Sequence, residues 1–272
     1  MGQSFNDEKK GDIKISGSGS AGGGVYDEVK ISGSGKITGD LDCNVLKVSG
    51  SGKVDGNIKS LRVCTSGSFN SIGSISCESL KASGSAKITQ DVSCNEDFSC
   101  SGSMKIEGNL KSKDIDISGS INVAERLSGT NLRCSGSLSI GENCEVENFK
   151  SSGAFRINGL LTADNIVINV GGHCSAKEIG GEKIEIKRGI QKVLGIFALE
   201  NILGSLFNNY VGSIVEAEII EGDEIYLECT RAKIVRGNNI FIGPDCQIDR
   251  VEYKDELKVE DSKAVKESIK TT

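Results

Sequence analysis

The chain has 272 residues, a formal net charge of −6 and a pI near 5.1. That balance argues against a nucleic-acid binder, which needs a basic stripe. Aromatic residues are 4% of the chain, with no Trp and one Pro against 35 Gly; this suits a narrow stacked interior better than a wide globular core.

Residues 1–11 are short and polar and read as a flexible N-terminus. They lack the charged-then-apolar pattern of a secretory signal, which favours a cytoplasmic setting. Asn6 stands where a myristoylation start needs Ser or Thr. From residue 12 one phrase repeats. A Ser-Gly step recurs at Gly17, Gly33, Gly50, Gly67, Gly84, Gly102, Gly119, Gly136 and Gly153, spaced 16 to 18 residues apart. A fixed short period means stacked similar units.

Each unit holds three apolar pairs of spacing two. One pair precedes the glycine (Leu46/Val48, Leu80/Ala82, Ile115/Ile117). A second follows it (Met104/Ile106, Ile121/Val123), and a third lies further on (Leu41/Cys43, Ile75/Cys77, Val92/Cys94). Spacing two is the period of a strand with one buried face. Three short strands per coil predict an all-β fold: a parallel β-helix of triangular section, with successive coils about 4.8 Å apart. The alternation alone does not give the handedness; the general preference for right-handed parallel crossovers favours a right-handed one. These β-solenoid repeats are expected over residues 12–192 and again over 212–259. One coil alone cannot bury its apolar side. The corner glycines are expected to supply positive φ. The serines before them are expected to bond local backbone or to form a hydroxyl ladder. The coil ending at Gly102 has one residue more than its neighbours, near Asn95-Glu96-Asp97, and predicts an outward bulge there.

The chain has ten cysteines, and six of them fall into the same columns. Cys43, Cys77 and Cys94 share one position, Cys100 and Cys134 a second, and Cys144 occupies a third. They read as small buried hydrophobes. No CxxC pair suggests a zinc site. Cys77 and Cys94 should stack on adjacent coils.

Residues 193–211 break the strand pattern. Leu199, Ile202, Leu203, Leu206, Phe207 and Tyr210 follow helical spacing, which predicts an inserted amphipathic helix. It is too short to span a bilayer. Two placements stay open: packing on the solenoid wall, or contact with a membrane surface or partner. Glu200, Asn201, Asn208 and Asn209 on its polar side, without a basic residue, weaken the membrane version. Strand pairs return at Ile225/Leu227, Ala232/Ile234, Ile240/Ile242, Val251/Tyr253 and Leu257/Val259. Residues 260–272 form a charged C-terminal tail expected to fray.

Catalytic signals are sparse. His173 is the one histidine and by itself makes neither a His-based metal site nor a triad. No Gly-x-x-x-x-Gly-Lys-[Ser/Thr] loop occurs. The reading is of no catalytic, cofactor-binding or metal residues and no small-molecule substrate.

The phrases Gly35-Lys36-Ile37-Thr38-Gly39-Asp40-Leu41, Gly52-Lys53-Val54-Asp55-Gly56-Asn57-Ile58 and Lys105-Ile106-Glu107-Gly108-Asn109-Leu110 resemble bactofilins, bacterial polymer-forming cytoskeletal proteins. So does Ile220-Glu221-Gly222-Asp223-Glu224-Ile225. The resemblance implies a right-handed β-helix that stacks end to end into filaments without nucleotide. It also implies a cytoplasmic scaffold, often at the membrane, serving cell shape or motility. Its partners would be itself and the inner membrane surface or membrane-associated envelope proteins. Bactofilins usually have a shorter core and proline-bearing tails, and this chain departs from both. An uncapped solenoid end independently exposes unpaired backbone groups and an open apolar column. Ile13 and Ile15 at one end, and Leu257 and Val259 at the other, are the natural docking positions for a homopolymer. Two alternatives remain: a hexapeptide-type β-solenoid acyltransferase, for which only His173 could serve as catalytic base, and a secreted β-solenoid binding or adhesion module.

Overall fold

The computed structural model describes residues 11–189 and 213–272. The helix predicted over 193–211, with Leu199, Ile202, Leu203, Leu206, Phe207 and Tyr210, lies outside the described residues. The chain divides into two compact units, residues 1–113 and 114–272. Each is a parallel β-solenoid.

In the N-terminal unit every coil contributes three short sides, and each side pairs in parallel with its counterpart one period on. Ser51–Asp55 pairs with Ser68–Ser71, which pairs with Ser85–Ile88. Ile58–Thr65 pairs with Ile75–Ala82 in the same way. The columns predicted from spacing are the core: Val29, Ile31, Leu46 and Val63 are fully buried, as are Ile37, Val54 and Ile88. Burying each such side chain contributes about 1.5–3 kcal/mol before chain entropy is set against it. The gain exists only because a neighbouring coil covers each one.

The C-terminal unit repeats the plan. Phe149 and Phe155 meet edge to face, with ring centroids 5.3 Å apart. Toward its end the strands are long, as they are in Ser18–Ile31 and Ser34–Val48: His173–Arg188 pairs with Ile214–Leu227, which pairs with Thr230–Ile242. Successive sides are joined by bends inside one continuous strand rather than by loops. On one side Ile184/Ile186, Ile225/Leu227, Ile240/Ile242 and Leu257/Val259 stack in register.

Several expectations need correction. Positive φ among glycines occurs at Gly24 and Gly39 (144° and 100°), not at the Ser-Gly corners. At Gly33, Gly50, Gly67, Gly84, Gly102, Gly136 and Gly153 glycine is required instead by close approach to the backbone of the coil before. The corner serines Ser49, Ser66 and Ser83 are exposed, and their backbone N–H groups make the turn. They donate to the carbonyls of Ile31, Val48 and Thr65 at 2.9, 2.8 and 2.8 Å. Ala21 to Gly24 belongs to the continuous strand Ser18–Ile31. Inward packing after Ala232 falls to Val235, while Ile234 turns outward and is half-buried. The 260–272 tail does not simply fray: Ser262–Ala264 is a 3-10 turn and Val265–Lys270 is a strand pairing with Gln247–Val259. By contrast, the register slips between Cys77 and Ser79 opposite an exposed Asn95-Glu96-Asp97, which is the bulge the coil lengths predict.

Candidate functional site: the end rungs

His173 is exposed, and its Nε2 lies 3.8 Å from Glu216 Oε2. Glu216 is already engaged by Arg231 at 2.6 Å. A groove of about 730 Å³ nearby in the C-terminal unit is floored by Ala176, Ala232 and Ile248. Its rim carries the pairs Glu216–Arg231, Glu218–Lys233 (3.0 Å) and Asp249–Lys266 (2.7 Å). These rim charges are spent on one another, so the groove offers ion pairs rather than a poised nucleophile and base. Among the described residues no cluster of three or more His, Cys, Asp or Glu is placed to hold a metal. No helix among them is long and apolar enough to cross a membrane.

The wall of the N-terminal unit is organised by shared carboxylates. Lys36 and Lys53, one coil apart, reach Asp55 at 2.7 and 2.9 Å. Lys87 and Lys105 reach Glu107 at 3.1 and 3.2 Å. Hydrogen bonds from Lys36 and then Lys53 hold the Asp55 carboxyl below the usual carboxylate range; Lys87 and then Lys105 do the same for Glu107. Both folded values are lowered, so this stabilisation is complete above the usual carboxylate range and is lost as pH falls through it. A D55N/E107Q chain should therefore show a flatter acid limb in Tm against pH below about pH 4. The difference should be small because the lysine partners are exposed and the pairs lie at the surface. Thermal melts across pH check it; an unchanged acid limb would remove the assignment.

The end positions have a different character. Gly11–Ile15 pairs on one side, with Ser18–Ile31. Ile13 and Ile15 are half-buried, whereas their register partners Val29 and Ile31 are 0% exposed. Asp12 accepts from the Glu28 N–H at 3.3 Å and lies 3.6 Å from Lys14. This fixes the edge strand to the coil behind it.

At the far end of the C-terminal unit, Leu257 and Val259 continue the column of Ile240 (3%) and Ile242 (0%) but are half-buried. The chain then turns back. Asp261 accepts from the Lys263 N–H at 2.9 Å, Ala264 packs inward, and Val265 stacks on Ile248. Ser268 occupies the position held by Val251, Val235 and Ile220 on earlier coils. A serine there ends the apolar column on that side. Lys270 donates to the Asp255 carbonyl at 3.3 Å and sits 5.9 Å from the Tyr253 ring. Two of the three sides are thus covered by the chain's own last strand. The third ends on Leu257 and Val259.

Among the described residues, the four picked from sequence are the outermost rungs of their columns. The partial cover by residues 261–271 was missed. Its signal is faint: Ala264, Val265 and Ile269 among charged neighbours.

Comparisons with known proteins add the following. Residues 8–111 match the Bactofilin family, described as polymer-forming cytoskeletal. The chain is 36% identical over 118 residues to the uncharacterized protein YhbE of Bacillus subtilis, covering 42% of this chain and 44% of that one. It is 34% identical over 113 residues to YhbF of the same organism, covering 41% and 42%. The chain thus spans less than half the length of the curated relatives it matches. No solved structure matches it.

Proposed function

We propose, with the bactofilin match over residues 8–111 as premise, that this chain is a non-enzymatic scaffold that assembles with itself end to end without nucleotide. The carrying observation is the exposure step at the terminal rungs. The column is sealed at Ile240 and Ile242 and open at Leu257 and Val259. It is likewise sealed at Val29 and Ile31 and open at Ile13 and Ile15.

Magnitudes decide how such a junction holds. Four half-buried aliphatic side chains gain a few kcal/mol in total, since full burial of each is worth about 1.5–3 kcal/mol. Association costs roughly 4–15 kcal/mol in rigid-body freedom. Side chains alone do not hold the joint. The edge strands must also pair, each new hydrogen bond adding about 0.5–1.5 kcal/mol. The proposal is therefore strand-on-strand docking of one copy's end rung on the next. The scaffold works in the cytoplasm, and the apolar residues Leu199, Ile202, Leu203, Leu206, Phe207 and Tyr210 give it a contact to the membrane surface or to an envelope protein.

Negative-stain electron microscopy of the purified chain without nucleotide tests this reading. Filaments one molecule wide are expected. Dispersed particles at every protein and salt concentration tried would overturn it.

A further inference from the structure

Ten thiols sit in this chain, and two of them touch. Cys77 and Cys94 are register partners on successive coils of the N-terminal unit, with Sγ atoms 3.3 Å apart. Both are buried, at 3% exposure. Other thiols turn elsewhere: Cys174 donates to the Gly153 carbonyl at 3.4 Å and Cys246 to the Leu227 carbonyl at 3.4 Å.

We propose that Cys77 and Cys94 are a peroxide-oxidisable pair that closes an intrachain disulfide and covalently staples two successive coils. The backbone already permits the bond. In-register parallel neighbours stand about 4.8 Å apart, inside the Cα span of roughly 4.4–6.8 Å that disulfides use. Closure needs the sulfurs to approach by rotation of the side chains, with no slip of the coils.

Access comes from the bulge. Immediately after Cys94 the pairing slips, from Cys77↔Cys94 to Ser79↔Asp97, and Asn95, Glu96 and Asp97 are exposed. A bulge leaves a residue unpaired and disrupts the ladder locally. The pair therefore sits beside a place where the wall opens at low cost. A small oxidant enters there; a bulky one does not.

The chemistry balances with hydrogen peroxide. One thiolate attacks a peroxide oxygen, the O–O bond breaks, and a sulfenic acid and one water result, the thiol proton going to the departing hydroxide. The second thiol displaces the sulfenic hydroxyl: the S–S bond forms, the S–O bond breaks, and a second water leaves. Two thiols and one peroxide give one disulfide and two waters. The hydrogen bond with Cys77, and then burial, push the Cys94 thiol up from its ordinary range. The reaction is accordingly slow at neutral pH and faster in alkali.

The column itself supplies the control. Ser60 and Ser112 occupy the same position on other coils and are buried there, so Cys77→Ser fits the fold. The test treats the full chain in a Cys64→Ser background, which removes a half-exposed competitor, with hydrogen peroxide. Remaining thiols are then blocked in denaturant and the chain is digested with trypsin. The expected product joins peptide 63–81 to peptide 88–105 through Cys77 and Cys94, with a Tm raised by about 5 °C or more. Adding Cys77→Ser should abolish both effects. Three results would overturn the proposal: Cys94 recovered as sulfinic or sulfonic acid without a partner, Cys94 paired to a different cysteine, or both thiols left reduced after prolonged oxidation at alkaline pH.

Discussion

Replacing Gly84 with alanine is expected to destabilise the fold by about 3 kcal/mol or more, whereas Gly17→Ala should stay within about 0.5 kcal/mol of the parent. Both glycines sit in the same Ser-Gly-Ser phrase. A Cβ on Gly84 would fall inside the radius of the Gly67 carbonyl oxygen and 2.6 Å from that of Ser66. Both oxygens are backbone of the coil before, and Ser83 and Ser85 donate to that coil at 2.8 and 3.0 Å. Relief requires the coils to part, which loses those bonds. At Gly17 a Cβ would meet nothing within 4 Å. Neither position has positive φ, so backbone strain does not separate the pair. Chemical denaturation of the two variants measures the difference. Equal losses would mean that the corner needs glycine for its own conformation and not for the stack.

Changing Leu257 and Val259 together to lysine should lower end-to-end assembly by two orders of magnitude or more, about 3 kcal/mol, while the far-ultraviolet circular dichroism is retained. Two charges would then have to be buried or the joint left open. Ile15→Asp should act in the same direction from the other end. Leu61→Asp, on an exposed wall position (56%), should leave assembly intact. Sedimentation and microscopy of the three variants decide it. Loss of filaments in the Leu61 variant, or their survival in the Leu257/Val259 variant, would move the contact from the ends to the wall.

What sequence reveals here follows from what repeats. The apolar pairs share a face because spacing two and a coil period near 17 residues together define every column. Leu46, Leu80 and Ile115 were therefore assignable to the core, and an extra residue at Asn95-Glu96-Asp97 could only bulge. Contacts between coils were harder to see. The sharing of Asp55 by Lys36 and Lys53 spans a stacking relation that no local window contains. The reason for the corner glycines is also a property of the neighbour, the carbonyl one coil back, and not of the residue. Past Gly153 the coils vary in length, so the outward turn of Ile234 and the inward turn of Val235 were not legible. The last strand escaped notice because Lys266, Glu267, Ser268 and Lys270 carry the composition of a loose end. Backbone pairing of Glu267 to Lys270 with Arg250 to Tyr253 holds the strand all the same.

The Ser268 stop has a geometric corollary. If copies join at this end as proposed, an arriving neighbour meets apolar side chains on one side, at Leu257 and Val259, and the polar strand Val265–Lys270 on the other two. Of the three azimuths that a triangular profile would otherwise allow, a single one brings greasy side against greasy side. The rotation between successive copies would then be set by where one short strand happens to lie, making the C-terminal turn a keyway that dictates the helical pitch of whatever is built on it.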